Sequence, residues 1–433
     1  MLSRTLILVT TVWFVRQCPA QSSGQANPQI SDRLTIDQAV SEALERNLGL
    51  LAERYNLTIA DARIVTAQLR PNPVLTLDGD HLDLLGTGFN NQTNNGGPVE
   101  YAVRTDFILE RGGKRQARIA VAEGNLAVAR LLLSNTVRGI VLDVQSAFVD
   151  LQAAKDSLAL AQENLRTLHD VVDINQKRVK SGDLAEVELL RAQVAELQFE
   201  NAVRQAELKV RTATSKLQIL LGRARNARPF DIVGELRRQA GPSSLGSLQD
   251  QARQSRPDLQ AVVRDQARSQ AEIRNQLALG KVDYTVGTEY RRQEKTAHAN
   301  TLGFFFQTNI PIFNRNQGEI ERARLEQRQI EAKLRAVQAT VENDVEIAYQ
   351  QYQTAGATLE QVERTMVPKA RDVRSITDYS YRRGEASFIE FLDAQRAYND
   401  TMQVYNDARA DYARSLYAID AAVGIQAAGK GRP

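Results

Sequence analysis

The chain has 433 residues, of which 42% are hydrophobic and 25% are charged, as is typical of folded proteins. Its 55 lysines and arginines nearly balance its 52 aspartates and glutamates, and charges of both signs alternate along the sequence. Because no basic stripe is present, the composition argues against nucleic-acid binding, and we expect no nucleic acid among the partners.

Residues 1–20 are predicted to be a secretory signal peptide. Arg4 supplies the positive charge, an apolar stretch too short to cross a bilayer follows it, and Ala20 precedes the predicted cleavage point. Cys18 could also carry an acyl anchor, but Arg16-Gln17 precede it in place of the small residues of a lipoprotein signal. Cleavage after Ala20 would leave a mature chain without cysteine, and therefore without disulfides.

The first repeat, residues 21–222, is predicted to begin with a short helix and two strands, at 73–80 and 99–109. In the second strand, alternate residues starting at Val99 are apolar, and the residues between them are mostly polar. About ten residues with one apolar face are typical of a strand in a membrane barrel, although a water-soluble sheet gives the same alternation. Residues 82–98, rich in Gly, Asn and Thr, are predicted to be an exposed loop.

A very long helix is predicted over residues 114–181. Its apolar residues, from Leu126 to Val172, are spaced by three or four, which indicates a helix–helix seam. At 1.5 Å per residue such a helix spans about 100 Å, too long for one small globule. We therefore expect a coiled coil, with a glycine turn at 180–184 and a second helix returning from it.

The same plan occurs again over residues 251–424, after an irregular segment at 223–250. Gly384 follows Gly182 by 202 positions (384 − 182), and similar residues surround both glycines. The second repeat is predicted to have strands at about 282–291 and 302–310, an exposed loop at 292–301, an apolar helical stripe from Ile330 to Met366 and a hairpin tip at 382–386. Residues 425–433 are predicted to be a disordered tail.

The number of strands has a consequence for assembly. Four strands in one chain cannot close a barrel, and open strand edges are not tolerated in lipid. If the strands lie in a membrane, several copies must pool them, and three copies would supply twelve.

Three motifs carry a family resemblance. They are Glu110-Arg111-Gly112-Gly113-Lys114-Arg115 after the second strand, Arg256-Pro257-Asp258-Leu259 at the start of the first helix of the second repeat, and Ile310 to Gly318 after the fourth strand. With the duplication, the long helices and the strands, the chain resembles the TolC-like outer-membrane efflux proteins over nearly its whole mature length. The motifs are similar to those of the CzcC-type branch, which serves metal-cation pumps.

The resemblance implies a mainly α fold with membrane β-strands. Three protomers would form a twelve-stranded barrel in the outer membrane of a Gram-negative bacterium and a twelve-helix tunnel across the periplasm, with residues 223–250 in an equatorial belt. The protein would be the exit duct of a tripartite efflux system, with a periplasmic adaptor (membrane fusion protein) and an inner-membrane pump of the resistance-nodulation-division (RND) type. The implied cargo is heavy-metal cations, and neither enzymatic activity nor a cofactor is expected.

Two alternatives stay open at this point. The same duct could carry drugs or a secreted protein of a type I system. The coiled coil could instead belong to a soluble periplasmic adaptor or structural rod, since periodicity alone does not exclude it.

Two carboxylates are candidates for the tunnel entrance. Glu390 and Asp393 are three residues apart and so share a helix face, and they match the carboxylates that ring the entrance in the family. Such a ring favours cations. The equivalents in the first repeat are Glu188 and Arg191, which could pair with each other instead.

Further candidates follow from the resemblance. Tyr381 matches a tyrosine that ties the closed entrance, and Ala386 stands where an arginine is expected, so Arg382 or Arg383 is its candidate replacement. The adaptor-docking tips are assigned to Arg178, Lys180, Ser181, Gly182, Asp183, Gly384 and Glu385. Strand-to-helix transitions are assigned to Gly112, Gly113, Pro311 and Gly318, because glycine and proline break regular structure.

The sequence indicates no metal site and no catalytic residues within the chain. The three histidines, His81, His169 and His298, are widely separated. A mature chain without cysteine, with Met366 and Met402 as thioethers, is poorly suited to bind soft cations. If metals are the cargo, we expect them to pass through weakly attracted to carboxylates.

Overall fold

A computed structural model describes residues 33–86, 99–224, 230–238, 244–294 and 299–425. The predicted signal peptide with Cys18, and the tail beyond Ile425, lie outside the described residues. The strands are β1 (Arg33–Leu34), β2 (Val74–Asp80), β3 (Val99–Leu109), β4 (Asp231–Ile232), β5 (Tyr284–Glu294) and β6 (Asn300–Thr308). The helices are α1 (Ile36–Arg46), α2 (Leu48–Gln68), α3 (Lys114–Ser181), α4 (Glu186–Leu220), α5 (Leu245–Ser255), α6 (Pro257–Leu279), α7 (Gln317–Gln361), α8 (Val367–Arg383) and α9 (Phe388–Val423).

Each half of the chain begins with two helices, where the sequence analysis predicted one short helix. In the first half the break lies at Asn47, whose side-chain oxygen accepts a hydrogen bond from the Leu50 amide (3.0 Å) and so caps α2. In the second half the break lies before Pro257, which is the first residue of α6 and cannot continue a preceding helix. Two different local signals therefore end the first helix at equivalent places.

Two long hairpins follow the helix pairs. In the first, α3 runs for 68 residues and α4 returns along it. In the second, α7 passes through a π-helical turn at Val362–Met366 into α8, and α9 returns. The π turn lies just before Pro368, where the missing N–H and the proline ring disturb regular α-helical bonding. No helix in the described parts of the chain combines the length and the apolar character needed to cross a membrane.

The predicted apolar stripes are the seams between these helices. Val144 and Val345, which occupy matching places in the two repeats, are 0% and 1% exposed. Val144 belongs to a core cluster with Leu217 near the end of α4, and Val345 packs in the corresponding cluster with Val423 at the end of α9. Burial of these stripes is the main favourable term that holds each hairpin together.

Strands from both repeats form one antiparallel sheet with the order β2-β3-β5-β6. The β3–β5 pair joins the repeats and places Thr105 opposite Thr288. The observed β5 begins two residues later than the predicted 282, and β6 covers 300–308 rather than 302–310. Strand β6 ends early because Ile310 enters a tight turn, in which its carbonyl accepts from the Ile312 amide (2.9 Å).

The Arg256 motif ties the end of α9 to the start of α6 and to α7. The Arg256 side chain is 3% exposed and forms ion pairs with Asp258 (2.5 Å) and Asp344 (2.8 Å). It also donates to the carbonyl of Ala422 near the end of α9 (3.4 Å). Its pairing with two carboxylates offsets the cost of burying a guanidinium.

Candidate functional site

The two hairpin tips share one backbone structure. The first helix of each hairpin ends at a glycine in the left-handed region, Gly182 (φ 84°) and Gly384 (φ 78°). Beyond them, the Asp183 amide donates to the Arg178 carbonyl (2.8 Å), and the Glu385 amide donates to the Ser380 carbonyl (2.9 Å). These bonds satisfy the last carbonyls of each helix, and a positive φ suits glycine because it lacks a Cβ atom.

Most of the predicted tip residues lie at the exposed ends of the hairpins. The Ser181 hydroxyl donates to the Asp183 carboxylate (2.7 Å), so that this hydrogen bond joins two residues of the first hairpin tip. The exposed tip residues are Lys180, Ser181, Gly182, Asp183, Arg382, Arg383, Gly384 and Glu385.

Arg178 differs from the other tip residues because it connects the two hairpins. Its guanidinium donates to the carbonyls of Tyr381 (3.3 Å) and Arg382 (2.5 Å), the last residues of α8. A cation at a helix C-terminus also interacts favourably with the helix dipole. Arg178, predicted as an adaptor-docking residue, therefore caps a helix of the other repeat.

Tyr381 lies in the core between the repeats. Its side chain is 3% exposed and stacks on Phe391, with ring centroids 5.1 Å apart. Its hydroxyl donates to the side-chain oxygen of Asn175 on α3 (2.5 Å). Burial raises the pKa of Tyr381, and the hydrogen bond to Asn175 opposes that change. The phenol therefore stays neutral and joins α8 to α3.

Neither candidate replacement arginine lies beside the Tyr381 ring. Arg382 pairs with Asp378 on its own helix (3.0 Å), and Arg383 donates to the Tyr379 hydroxyl (2.6 Å). The cation near the ring is Arg178, with its guanidinium carbon 5.8 Å from the ring centroid. The candidates predicted from the sequence lie next to Tyr381 in the chain, whereas the cation that contacts its ring comes from the other repeat.

Glu390 and Asp393 are both exposed on the first turns of α9. The Glu390 carboxylate accepts hydrogen bonds from the Ser387 amide (2.7 Å) and hydroxyl (2.9 Å) and completes a capping box. These bonds lower the pKa of Glu390, so that it remains ionised. Asp393 has no ion pair with any residue that the structure describes. Two negative charges thus lie together near the second tip.

The equivalent pair in the first repeat is internally neutralised. Arg191 donates to Glu188 at 2.7 Å, which confirms the predicted pairing. Within the described residues, two neighbouring carboxylates without an ion pair therefore distinguish the second tip from the first.

Buried amides beside the second tip were missed by the sequence analysis. The Asn164 amide donates to Asn399 (2.6 Å), and the Gln395 amide donates to Asn164 (2.8 Å). Asn164 and Asn175 each lie three residues after a member of the predicted apolar stripe, Ala161 and Val172, which was the available signal. Buried amides in a coiled coil lower stability but fix the register of the helices.

The sheet exposes its apolar face. Tyr101, Val103 and Phe107 are each about half exposed, and Phe304 is 79% exposed. On the opposite face Glu289 is 7% exposed. A sheet of a water-soluble protein has the reverse arrangement, with the apolar face buried.

Charged residues on the other face pair with one another. Arg291 pairs with Glu100 and Glu289, and Arg104 pairs with Asp106 (2.9 Å). The Arg104 guanidinium also lies 4.3 Å from the ring centroid of Phe305. An apolar outer face with a polar inner face is the pattern of strands in a membrane barrel.

The sheet has two open edges in this chain. Strands β2 and β6 each pair on one side only within the residues that the structure describes. Their free backbone groups are available to strands of other chains.

The strands join the helices through residues in unusual backbone conformations. Gly112 and Gly113 have φ of 72° and 74° between β3 and α3, and Pro311 lies between β6 and α7. Gly318, predicted at the second transition, is instead the second residue of α7. The left-handed residue there is Asn316 (φ 63°), whose side chain donates to the Gln276 carbonyl (2.8 Å).

Within the described ranges, no three or more His, Cys, Asp or Glu side chains are grouped so as to hold a metal ion. Glu390 and Asp393 are therefore a charged surface rather than a closed metal site. Their arrangement suits electrostatic attraction of passing cations.

An exposed apolar sheet face joined to long helical hairpins is the combination expected of the outer-membrane efflux proteins. The family described as "Outer membrane efflux protein" matches residues 39–223 and 248–425. The chain belongs to this family. The predicted resemblance is confirmed, and so is the prediction that the chain is not an enzyme, because the family that it belongs to consists of outer membrane efflux proteins.

Several relatives are named for metal resistance. The chain is 24% identical to the cobalt-zinc-cadmium resistance protein CzcC of Cupriavidus metallidurans, over 84% of this chain and 83% of that protein. It is 25% identical to the cation efflux system protein CusC of Escherichia coli K12, over 89% and 84%. It is also 23% identical to the nickel-cobalt-cadmium resistance protein NccC of Alcaligenes xylosoxydans, over 63% and 60%.

Solved structures share the fold. The crystal structure of CusC superposes with a TM-score of 0.73 at 18% identity, over 90% of this chain and 92% of that chain. The outer membrane protein VceC of Vibrio cholerae gives a TM-score of 0.72 at 14% identity, over 90% and 96%. At these identities the superpositions establish the fold alone.

Proposed function

We propose that the chain is one protomer of a homotrimeric outer-membrane channel, the exit duct of a tripartite efflux system in a Gram-negative bacterium. The observation that carries this proposal is the four-stranded sheet with an outward apolar face and two open edges. Open edges are not tolerated in lipid, so β2 of one protomer must pair with β6 of the next. Three protomers then close a twelve-stranded barrel, continued by a twelve-helix tunnel of paired hairpins.

The entrance of the tunnel lies at the second hairpin tips. Threefold symmetry brings Glu390 and Asp393 of each protomer into a ring of six carboxylates, which attracts cations. The hydrogen bond from Tyr381 to Asn175 holds the second hairpin against the first and keeps the entrance narrow. Arg178 acts with it by capping α8.

The exposed tips are the docking surface for a periplasmic adaptor, which connects the channel to an inner-membrane pump of the RND type. Lys180, Asp183 and Glu385 offer charges of both signs for a polar contact. The pump supplies the energy, so that the duct needs no cofactor of its own.

The cargo that we propose is heavy-metal cations. Two relatives are named for resistance to heavy metals and a third for cation efflux, and the proposed entrance carries carboxylates that form no ion pair among the described residues. In a passive duct these carboxylates concentrate cations without binding them tightly.

Extraction and assembly test the channel. The mature protein should require detergent, run as a heat-modifiable trimer and conduct ions in planar bilayers. Phe304→Arg on the outward face should reduce membrane assembly, because a cation at the bilayer midplane costs about 2–4 kcal/mol. Gln307→Arg, on the opposite face of the same strand, is the matched control and should assemble normally. A well-folded monomer recovered from the aqueous periplasm would overturn the proposal.

Resistance of a deletion strain tests the cargo. Loss of the gene should increase sensitivity to one or more of zinc, cobalt, cadmium and copper, and wild-type protein should restore growth. Sensitivity to drugs alone, with unchanged metal tolerance, would contradict the metal cargo while leaving the duct intact.

A further inference from the structure

The apolar outer face of the sheet continues beyond the end of β6. The strand ends at Thr308, yet Ile310, Ile312 and Phe313 are 77%, 62% and 89% exposed. The first repeat lacks this extension, because Glu110-Arg111 follow β3. The apolar extension is thus specific to the second repeat and lies on the helical side of the sheet.

A cluster of cations lies beside this extension. Arg111, Lys281 and Arg315 are all exposed, and no ion pair joins them to a carboxylate among the residues that the structure describes. Lys281 packs against Gly112, next to Arg111, because a Cβ atom on Gly112 would overlap the Lys281 side chain. Gly280, the residue before Lys281, lies against the backbone of Arg315. A Cβ atom on Gly280 would be 2.8 Å from the Arg315 carbonyl oxygen. The three positions therefore form one basic patch.

Arg111 donates to the Tyr284 hydroxyl, and Arg315 donates to the Pro311 carbonyl (3.2 Å), so that both have only neutral partners among the described residues. Exposed apolar side chains next to cations that form no ion pair match the chemistry of a phospholipid interface. The apolar groups suit the boundary between acyl chains and headgroups, and the cations suit the phosphates. The apolar extension begins two residues after Thr308, at the end of the strand that carries Phe304 and Phe306 on its apolar face, so that it lies at the same edge of the sheet.

We propose that Ile310, Ile312 and Phe313, with the patch of Arg111, Lys281 and Arg315, anchor the channel in the bilayer leaflet that faces the helical hairpins. The three apolar residues insert between anionic phospholipids, and the patch binds their headgroups. This inference rests on the proposed outer-membrane channel, and it adds the lipid class and the depth at which the chain meets the membrane.

The single tryptophan of the sequence makes a direct test possible. Trp13 lies within the predicted signal peptide, so that the mature chain has no tryptophan. Phe313→Trp then introduces one fluorophore, to be reconstituted in bilayers with bromine atoms at a shallow or a deep position of the acyl chains. Phe304→Trp on the outward face and Phe305→Trp on the inward face are matched controls.

Phe313→Trp should be quenched more by shallow than by deep bromines, whereas Phe304→Trp should be quenched by deep ones and Phe305→Trp by neither. If Phe304→Trp is not quenched, the proposed channel itself fails. If Phe304→Trp is quenched and Phe313→Trp is not, another protomer covers the segment and only the anchor is overturned.

The lipid class is tested in the same bilayers. Brominated phosphatidylglycerol, as a minor fraction in unlabelled phosphatidylcholine, should quench Phe313→Trp at least twofold more than brominated phosphatidylcholine at the same fraction. Adding Lys281→Gln and Arg315→Gln should remove the difference. Equal quenching by both lipids before these substitutions would overturn the role of the basic patch.

Discussion

The two hairpin tips have the same backbone and different side chains. Both end a helix at a left-handed glycine with matching hydrogen bonds. At the second tip, Tyr381, Phe388 and Phe391 form an aromatic cluster, and a capping box begins α9. At the first tip, Ala185 offers no side-chain cap, and Glu188 is paired with Arg191.

This difference shows which parts of the duplicated unit were kept. The turn itself is determined by backbone geometry, which both copies need. The packing and the charge are free to differ. The second tip contributes three aromatic side chains to the core that both hairpins share, and it carries two carboxylates without an ion pair among the described residues. Substitutions at matching positions of the two tips therefore test whether the second one has the special role.

The largest difference is expected between Phe391→Ala and Leu189→Ala, which occupy matching positions. Phe391 is 1% exposed, and its loss should destabilise the tip by about 3–5 kcal/mol. Leu189 is only partly buried, and Leu189→Ala should lower the free energy of unfolding by about 1–2 kcal/mol. Denaturant unfolding combined with hydrogen exchange of the tip amides measures both. Equal losses would show that the two tips are packed alike.

Tyr381→Phe should have the next largest effect. The substitution leaves the buried Asn175 oxygen without its donor, which should lower the free energy of unfolding by about 1–3 kcal/mol. It should also raise the resting conductance of the channel. Tyr379→Phe is the control, since Tyr379 is exposed. An unaltered resting conductance in Tyr381→Phe would remove the tyrosine from the gate.

Removing both carboxylates of the second tip should change ion selectivity. Glu390→Ala with Asp393→Ala should reduce the preference for cations over anions by roughly tenfold, because the local potential is lost. Glu188→Ala, at the paired position, should have little effect. Reversal potentials in salt gradients measure the selectivity, and unchanged values in the double variant would exclude the pore ring.

The same selectivity should depend on pH. The pKa of Glu390 is lowered from 4.5 by its bonds to Ser387, so its charge and its capping contribution are complete above that value. Both are lost as the pH falls through the lowered pKa of the folded state. Selectivity that stays constant through this acid range would mean that Glu390 does not face the pore.

Exchanging the N-cap residues of α4 and α9, alanine and serine, should change stability less, and in opposite directions at the two tips. Ser387→Ala should cost about 1 kcal/mol, because it removes the side-chain cap of α9. Ala185→Ser should stabilise the first tip by about 0.5–1 kcal/mol, since Ala185 has an extended N-cap conformation and Glu188 stands at the third helical position. Denaturant midpoints measure both changes in stability. A lower stability of Ala185→Ser would mean that Glu188 keeps its ion pair with Arg191 and does not complete a capping box.

The smallest effect concerns His169, on the first hairpin only. Its hydrogen bond to Glu196 (2.7 Å) raises the pKa of His169 above 6.5. The pair therefore contributes stability that is present below pH 6.5 and is lost as the pH rises through the raised pKa. In an NMR titration, Glu196→Gln should lower the pKa more than Asp170→Asn does. Equal shifts would show that general charge, not the hydrogen bond, is the cause.

Much of the fold was predictable because its signals are local. The spacing of three or four along α3 and α7, the alternation in β3 and the glycine turns each depend on neighbouring residues alone. Pairing between Glu188 and Arg191 was predictable for the same reason, since the two residues lie one helical turn apart.

The contacts of the candidate site were less predictable. Arg178 reaches Tyr381, and Gln395 reaches Asn164, across the interface between the two repeats. Asn175 was missed because an amide within an apolar stripe has no local signal that names its partner. The breaks at Asn47 and before Pro257 were both missed. An asparagine cap is a weak local signal, and Pro257, predicted to lie at the start of the first helix of the second repeat, begins its second helix.

The sequence alone determined the duplication, the long helical hairpins, the strands and the family, because periodicity and repeated motifs are properties of the chain itself. Only the tertiary structure decided that the sheet leaves its apolar face exposed, and that Arg178 and Asn175 hold the second tip. Those facts depend on how distant segments pack, and packing brings together residues that no spacing along the chain relates.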